Sequence, residues 1–129
     1  MLDAPYLMKM AQSLARHAGA RQAQVAKNIA NADVPGYRAR DLVEFSETYQ
    51  QSKTKVDVKA TRSGHMTGSV SQARFETFDL GGQAAPNGNT VSLEQEMVRG
   101  TDAKSSHDLA LSVYKSSLDI LRTSLGRGR

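Results

Sequence analysis

The residues that could support catalysis or bind a metal are few and lie far apart along the 129-residue chain. The three histidines, His17, His65 and His107, share no ligand spacing with one another or with a carboxylate, so no metal site is expected. Cysteine is absent, which excludes both a disulfide and a thiolate metal site. We therefore expect these histidines to be surface or packing residues.

One short run contains the residue types of a hydrolase triad. Residues 105–108 read Ser-Ser-His-Asp, but adjacent residues of a helix point in different directions, and a triad is defined by geometry across a fold. The glycines Gly81, Gly82 and Gly88 do not follow the strand-to-helix pattern of a phosphate-binding loop. The sequence thus predicts no catalytic residue, no metal and no cofactor, and we expect a protein that is not an enzyme.

The charge leaves a binding function open. A net charge of +4 fits an acidic partner, so a small basic helical protein that binds nucleic acid is the alternative function. Its candidate stripe is Lys9, Arg16, Arg21 and Lys27. Because their spacing is expected to spread them around a helix, we interpret them as a solvated or intersubunit face. No apolar run is long enough to span a bilayer, and the first residues lack the pattern of a cleavable signal peptide.

The first segment carries an apolar stripe whose members recur at steps of three and four, as on one face of a helix. The pattern predicts a helix from about residue 4 to residue 32, with Asp3 as its N-cap and Pro5 in its first turn. The stripe is narrow and rich in alanine, which favours close packing against a second helix. The residues predicted to pack are Leu7, Met10, Leu14, Val25 and Ile29.

A turn is predicted directly after this helix. Pro35 disfavours helical dihedrals at Val34, and Gly36 permits a positive φ, so Pro35-Gly36 is expected at the centre of a turn, type II in the preferred interpretation. Asn31 and Asp33 can hydrogen-bond to nearby backbone groups. The helix is therefore expected to stop near residue 32, and the chain to leave at an angle fixed by the turn.

The middle of the chain gives weaker signals. Leu42, Phe45 and Tyr49 follow at helical spacing and predict a short helix over residues 42–51. Alternating residues at 55–59 and 75–80 indicate short strands or extended segments. Residues 81–89, rich in glycine, are predicted to form a loop.

The last segment has the clearest pattern. Ser92, with Gln95 three residues later, predicts a capping box at a helix start, and Gly126 and Gly128 predict its end. Between them, steps of four and three form a heptad register, weakened in its middle by Gly100, Lys104 and His107. The residues of this register that are predicted to pack are Leu93, Met97, Leu111, Tyr114, Leu118, Leu121 and Leu125.

Together these elements predict a mainly α fold. Long N- and C-terminal helices, residues 4–32 and 92–125, pack as a coiled-coil-like antiparallel pair, with a short helix and a small irregular or β segment between them. Residues 1–35 and 90–129 are expected to form one discontinuous helical core domain, and residues 36–89 the turn and middle segment. Two narrow apolar stripes leave further apolar surface uncovered, which favours a building block over an isolated globule.

Two stretches resemble the signatures of a known family. Residues 28–41 read Asn-Ile-Ala-Asn-Ala-Asp-Val-Pro-Gly-Tyr-Arg-Ala-Arg-Asp and resemble the N-I-A-N-x-x-T-P-G-Y-K signature of bacterial flagellar rod and hook proteins. Residues 89–97 resemble the second signature, N-x-V-x-L-E-x-E-M. The resemblance covers both terminal segments, leaves about residues 50–85 unmatched, and is strongest to the proximal rod type. The chain departs from the family pattern at Val34, where the signature has Thr, and at Gly100, Ala103 and His107.

The resemblance implies a structural subunit of the flagellar basal-body rod. Such subunits pass unfolded through the flagellar type III export apparatus without a cleaved signal and assemble in the periplasm into the drive shaft. It implies as partners other copies of the chain, other rod subunits, the rod-base adaptor, the MS ring and the export gate, with no nucleic acid and no direct membrane span. The expected assembly turn consists of Asn28, Asn31, Asp33, Pro35, Gly36 and Tyr37.

Overall fold

The structure, a computed structural model, describes residues 4–54 and 75–126, without the side chains of residues 52–54. In chain order the elements are two long helices with three short elements between them. They are α1 (Ala4–Ala30), β1 (Arg40–Leu42), α2 (Phe45–Thr54), β2 (Thr77–Asp79) and α3 (Leu93–Ser124). The mainly α fold with packed terminal helices is thereby confirmed. None of the described helices is both long enough and apolar enough to cross a membrane.

Helices α1 and α3 run antiparallel. Near the end of α1, Asn28 donates a hydrogen bond to Glu96 in the first turn of α3. One turn further, a Cβ placed on Gly100 would lie 3.6 Å from Cγ1 of Val25. Earlier on α1, Ala18 borders the same small cavity as Ala103 of α3. Residues that come earlier in α1 thus meet residues that come later in α3.

The contact between the two helices consists mainly of small residues spaced seven apart. Small side chains let two helix backbones approach closely, and the repeat of seven keeps them on facing sides of both helices. We call this contact the small-residue seam. Its members are Ala11, Ala18 and Val25 on α1 and Ala103, Ala110 and Ser117 on α3, all buried.

The seam corrects the predicted register of α3. The seam positions of α3 recur every seven residues, and each residue of the predicted stripe lies one or four residues after such a position. On a helix both offsets turn the side chain in the same direction, so the predicted stripe lies to one side of the contact with α1. Leu93, Met97, Leu111, Tyr114 and Leu125 are exposed within the chain, while Leu118 and Leu121 are half-buried. The prediction followed the large apolar residues, whereas close helix packing selected the small ones.

The predicted packing residues of α1 lie closer to the contact between α1 and α3 than those of α3 do. Val25 is buried, Leu7, Met10 and Leu14 are half-buried, and Ile29 is exposed. The helix ends at Ala30, two residues before the predicted end. The predicted N-cap Asp3 lies outside the described residues.

The two ends of α3 differ in how well the sequence predicted them. Ser92 is the N-cap with extended dihedrals, φ −109° and ψ 114°, but its side chain makes no capping hydrogen bond, so the predicted capping box is wrong. At the other end Gly126 has φ +82°, the left-handed conformation that commonly terminates a helix. Gly128 lies outside the described residues.

A two-stranded sheet and α2 form a layer that packs against α1. Strand β1 pairs antiparallel with β2, with Arg40 opposite Asp79 and Leu42 opposite Thr77. The extended segment predicted at residues 75–80 is confirmed over Thr77–Asp79, and the loop at 81–89 is confirmed as well. The sequence did not predict β1, and the helix expected from residue 42 begins at Phe45. The strand signal at 55–59 and His65 lie outside the described residues.

His17 attaches this layer to α1. Its ring is buried and packs edge-on against Phe45 and Phe75, with ring centroids 5.7 and 5.2 Å away. The ring nitrogen Nε2 donates to the carbonyl oxygen of Val43 at 2.8 Å. This confirms the expectation that His17 is a packing residue.

Candidate functional site

The fully buried side chain of Asn28 joins four parts of the chain. Its amide nitrogen donates to the carbonyl oxygen of Arg40 at 2.7 Å and to Glu96 Oε2 at 3.1 Å. Its oxygen accepts hydrogen bonds from Gln24, from the Tyr37 hydroxyl and from the Arg40 N–H. The amide therefore pairs with both backbone groups of Arg40 as a neighbouring strand would. One side chain thus fixes α1, the turn, β1 and α3 relative to one another.

Glu96 brings a charge into the same buried region. Its side chain is fully buried, and its second oxygen, Oε1, accepts from Arg99 at 2.6 Å. Charge-assisted hydrogen bonds of this length offset part of the cost of removing a carboxylate from water. No buried side-chain nitrogen or oxygen among the described residues lacks a partner. Glu96 is therefore a satisfied structural charge between the helices.

Asp41 extends the ionic contacts to β1. Arg21 binds it in a bidentate manner, with distances of 3.0 Å from Nε and 2.8 Å from Nη2, and Arg99 Nε lies 4.0 Å away. The hydrogen bond from Arg21 to Asp41 raises the pKa of the Arg21 guanidinium, against an opposing effect of burial. Arg21 therefore stays charged and holds β1 against α1.

The turn after α1 has the predicted centre. Gly36 has φ +73°, and the N–H of Tyr37 donates to the carbonyl oxygen of Val34 at 3.2 Å. The side chain of Asn31 donates to the carbonyl oxygen of Lys27 at 2.7 Å, which is the predicted bond to a nearby backbone group. The side chains of Asp33 and Pro35 are exposed.

The segment before α3 binds this turn from the other side. The buried amide of Asn89 donates to the carbonyl oxygens of Asn31 and Val34 at 2.9 and 2.8 Å. The Thr90 N–H donates to the Tyr37 carbonyl oxygen at 3.0 Å. The two stretches that carry the family resemblance are therefore bonded to each other. We call Asn28, Glu96 and Asn89 the polar clasp.

Sequence reasoning singled out Asn28 but missed Glu96 and Asn89 as contact residues. The available signal was a charged side chain in the seven-residue repeat of small residues: Glu96 precedes Ala103 by seven positions. A charge at such a position needs a buried partner. The helical wheel alone does not name that partner, because Asn28 is 68 residues away.

The remaining candidates for chemistry do not form a site. Ser106 donates to the Asp102 carbonyl oxygen of its own helix, an ordinary backbone contact of a helical serine. Among the described residues no cluster of three or more histidine or acidic side chains could hold a metal ion. Asn28 and Glu96 of the clasp bond to each other, and Asn89 bonds to backbone carbonyl oxygens, so this arrangement positions backbone segments.

The four basic residues of α1 are not spread around the helix as the sequence analysis expected. Lys9, Arg16 and Lys27 are exposed, and their spacings of seven and eleven residues place them on one face, opposite the small-residue seam. Arg21 lies on another side and binds Asp41. The exposed cationic face of α1 therefore has three members, separated from one another by about two and about three turns of helix.

Comparison with known proteins gave a consistent set of relatives. The chain is 31% identical over 116 residues to the flagellar basal body rod protein FlgB of Agrobacterium fabrum, covering 85% of each chain. It is 32% identical over 106 residues to the FlgB of Salmonella typhimurium, covering 76% of this chain and 77% of the relative. The FlgB of Escherichia coli is 29% identical over 109 residues, with the same coverage. No family model matches the chain.

Proposed function

We propose, on the premise that the chain belongs to the FlgB family of flagellar basal body rod proteins, that it assembles with copies of itself and with other rod subunits into the proximal drive shaft around the export channel. Membership in this family makes the chain a structural rod subunit of the flagellar basal body.

The exposed apolar side of α3 is the observation that carries the assembly proposal. Met97 is 69% exposed, Leu111 51% and Leu93 52%. Lys104 and His107 interrupt this side of α3 between Met97 and Leu111, but from Leu111 it continues through Tyr114 to Leu125, both exposed, so the apolar residues in the second half of α3 form a stripe. Monomeric proteins rarely leave such contiguous apolar surface in water, and its usual meaning is a contact with another chain.

The proposal extends to the route and the partners. We propose that the subunit is exported unfolded by the flagellar type III apparatus, without a cleaved signal peptide, and assembles in the periplasm. At the base of the rod its neighbours would be the rod-base adaptor, the MS ring and the export gate. The thin small-residue seam supports this route, because a small core costs little free energy to unfold before export.

A deletion experiment tests the function. In the source bacterium, removing the coding sequence should leave basal bodies without a rod, seen by cryo-electron microscopy, and cells that do not swim. The native chain supplied from a plasmid should restore both, and a tagged native chain should co-purify with intact basal bodies. Complete rods in the deletion strain, or a tagged chain absent from purified basal bodies, would contradict the proposal.

A further inference from the structure

The small-residue seam does not by itself select one register for α1 against α3. Its residues recur every seven positions on both helices, with Ala18 flanked by Ala11 and Val25 on α1, and Ala110 flanked by Ala103 and Ser117 on α3. A slide of seven residues, about 10 Å along the axis, therefore places small residues against small residues again. Packing of such similar layers gives little free-energy difference between the two registers.

The buried pair of Asn28 and Glu96 makes the two registers unequal. Glu96 lies in the same repeat as Ala103, seven residues earlier. A slide in one direction puts Ala103 in the place of Glu96 and leaves the Asn28 amide without its carboxylate partner. A slide in the other direction puts Glu96 in the place of Ala103, beside Leu14 and Ala18. Either slide leaves a buried polar group without the partner it has in the observed register.

Asn89 adds a second restraint on the same register. Its amide binds the carbonyl oxygens of Asn31 and Val34, just beyond the end of α1. Since α3 begins only four residues later, at Leu93, a slide of α3 would pull Asn89 away from both oxygens. The start of α3 is therefore tied to the end of α1 at two places.

We propose that the polar clasp, Asn28, Glu96 and Asn89, selects the register of α1 against α3, which the small-residue seam alone leaves free to slide by seven residues. A buried polar residue in a helix pair can fix its register at a cost in stability. The consequence lies on the surface, because the register decides which exposed apolar residues of α3 lie beside those of α1. This inference concerns the single chain and does not depend on the rod function.

Introduced cysteines can report the register, because the chain has none of its own. The in-register pair is Val25→Cys with Gly100→Cys, since a Cβ at Gly100 would lie 3.6 Å from Val25 Cγ1. The slipped pair is Ala18→Cys with Gly100→Cys, which differs by one seven-residue step. Each pair is oxidised in a glutathione buffer, and the disulfide yield is measured by mass spectrometry.

The two pairs are compared in three full-length backgrounds. The first is native, and the second lacks the clasp through Asn28→Leu, Glu96→Leu and Asn89→Ala. The third, Arg21→Leu with Asp41→Leu, is a matched control that removes the ion pair between α1 and β1 but leaves the clasp. The native and control chains should favour the in-register disulfide by about tenfold or more, the effect of one buried polar group losing its partner. The clasp-less chain should form both in comparable yield while keeping its helix content by circular dichroism.

Three results would each overturn the proposal. A clasp-less chain that still forms only the in-register disulfide would show that the seam sets the register. A control chain that loses selectivity to the same extent would show general loosening. A clasp-less chain that loses its helices would show that the clasp supplies stability, with no separate role in the register.

Discussion

A single amide group connects the helices to the outer layer. Asn28 has no net charge, yet it donates to a backbone carbonyl and to a carboxylate while accepting three hydrogen bonds. A carboxylate of the same shape keeps the acceptors and loses both donors. The identity of the atoms on this side chain therefore matters more than its volume.

Asn28→Asp should destabilise the isolated chain by about 3–5 kcal/mol, because it breaks a buried pair and places a carboxylate against Glu96. Urea unfolding followed by circular dichroism measures the change. Adding Glu96→Gln should recover part of the loss, since the like charges no longer meet. Asn31→Asp is the matched control, and it should cost less than about 1 kcal/mol, because its hydrogen bond to Lys27 is exposed. Equal losses at both positions would contradict this account of Asn28.

Asp79 should titrate below its ordinary pKa. The N–H of Gly81, and then the guanidinium of Arg38, hold the pKa of the Asp79 carboxyl below the usual 3.8. Because the folded pKa is the lower one, this carboxylate stabilises the fold above pH 3.8, and that contribution is lost as the pH falls through the folded value. An NMR titration should show the low midpoint, and Arg38→Gln should raise it only in part. A midpoint at or above 3.8 would contradict the prediction.

At the scale of the elements, local rules predicted what depends on local spacing. The steps of three and four along residues 4–30 and 93–124 are sufficient for α1 and α3, and Pro35-Gly36 is sufficient for the turn. Strand β1 has only three residues and exists because Thr77–Asp79 pairs with it from far along the chain. Leu42 also lies at helical spacing from Phe45, so the sequence pattern assigned it to the helix and not to a strand.

The contacts between elements were harder to predict for the same physical reason. The buried carboxylate of Glu96 bonds to Asn28, and the carbonyl oxygen of Asn31 at the turn bonds to Asn89, and each of these pairs is more than fifty residues apart in the sequence. The predicted register of α3 was wrong because the large apolar residues were assumed to form the contact with α1. The contact between α1 and α3 is formed mainly by alanines, and the leucines of α3 lie beside it.

Gly36→Val should cost about 1–3 kcal/mol, because a β-branched residue is strained at a φ of +73°. An added Cβ there would meet nothing within 4 Å, so the cost is conformational and not steric. Because we propose that the chain is exported unfolded, we expect the variant to be secreted but to build few rods, with poor swimming. Gly36→Asn is the control, since asparagine tolerates this conformation better.

The contrary results for Gly36 are distinct. Normal rod numbers with normal motility would show that the turn does not determine assembly. Failure of secretion, combined with normal assembly of the purified chain, would place the defect in export. Rod counts by electron microscopy and secreted protein by immunoblot separate these outcomes.

At the scale of the whole molecule, the small and the large apolar residues of the two long helices lie in different places. The small ones close the α1–α3 seam, and the large ones, such as Met97 and Leu111, remain on the surface. A side chain that serves the seam contributes to folding of the single chain. A side chain of the exposed stripe is proposed to contribute to assembly, so substitutions should separate the two properties.

Leu111→Asp should leave the isolated chain folded but prevent its incorporation into rods. Leu111 is 51% exposed, so the change loses little packing within the chain, while a buried unpaired charge between subunits costs several kcal/mol. Helix content and basal-body incorporation are measured in parallel. The neighbouring exposed residue gives the control, Ser112→Asp, which should incorporate normally. Normal incorporation of Leu111→Asp would exclude this part of α3 from the contact.

The antiparallel pairing of α1 with α3 also has a consequence in time. Residues 31–92 separate the two helices along the chain, and at about 5–20 residues per second their synthesis takes roughly 3–12 s. During that interval the first helix has no α3 to pack against, and Asn28 has no Glu96 to bond to. Every nascent chain therefore passes through a delay whose length is set by the intervening residues, and the fold closes only when its last helix arrives.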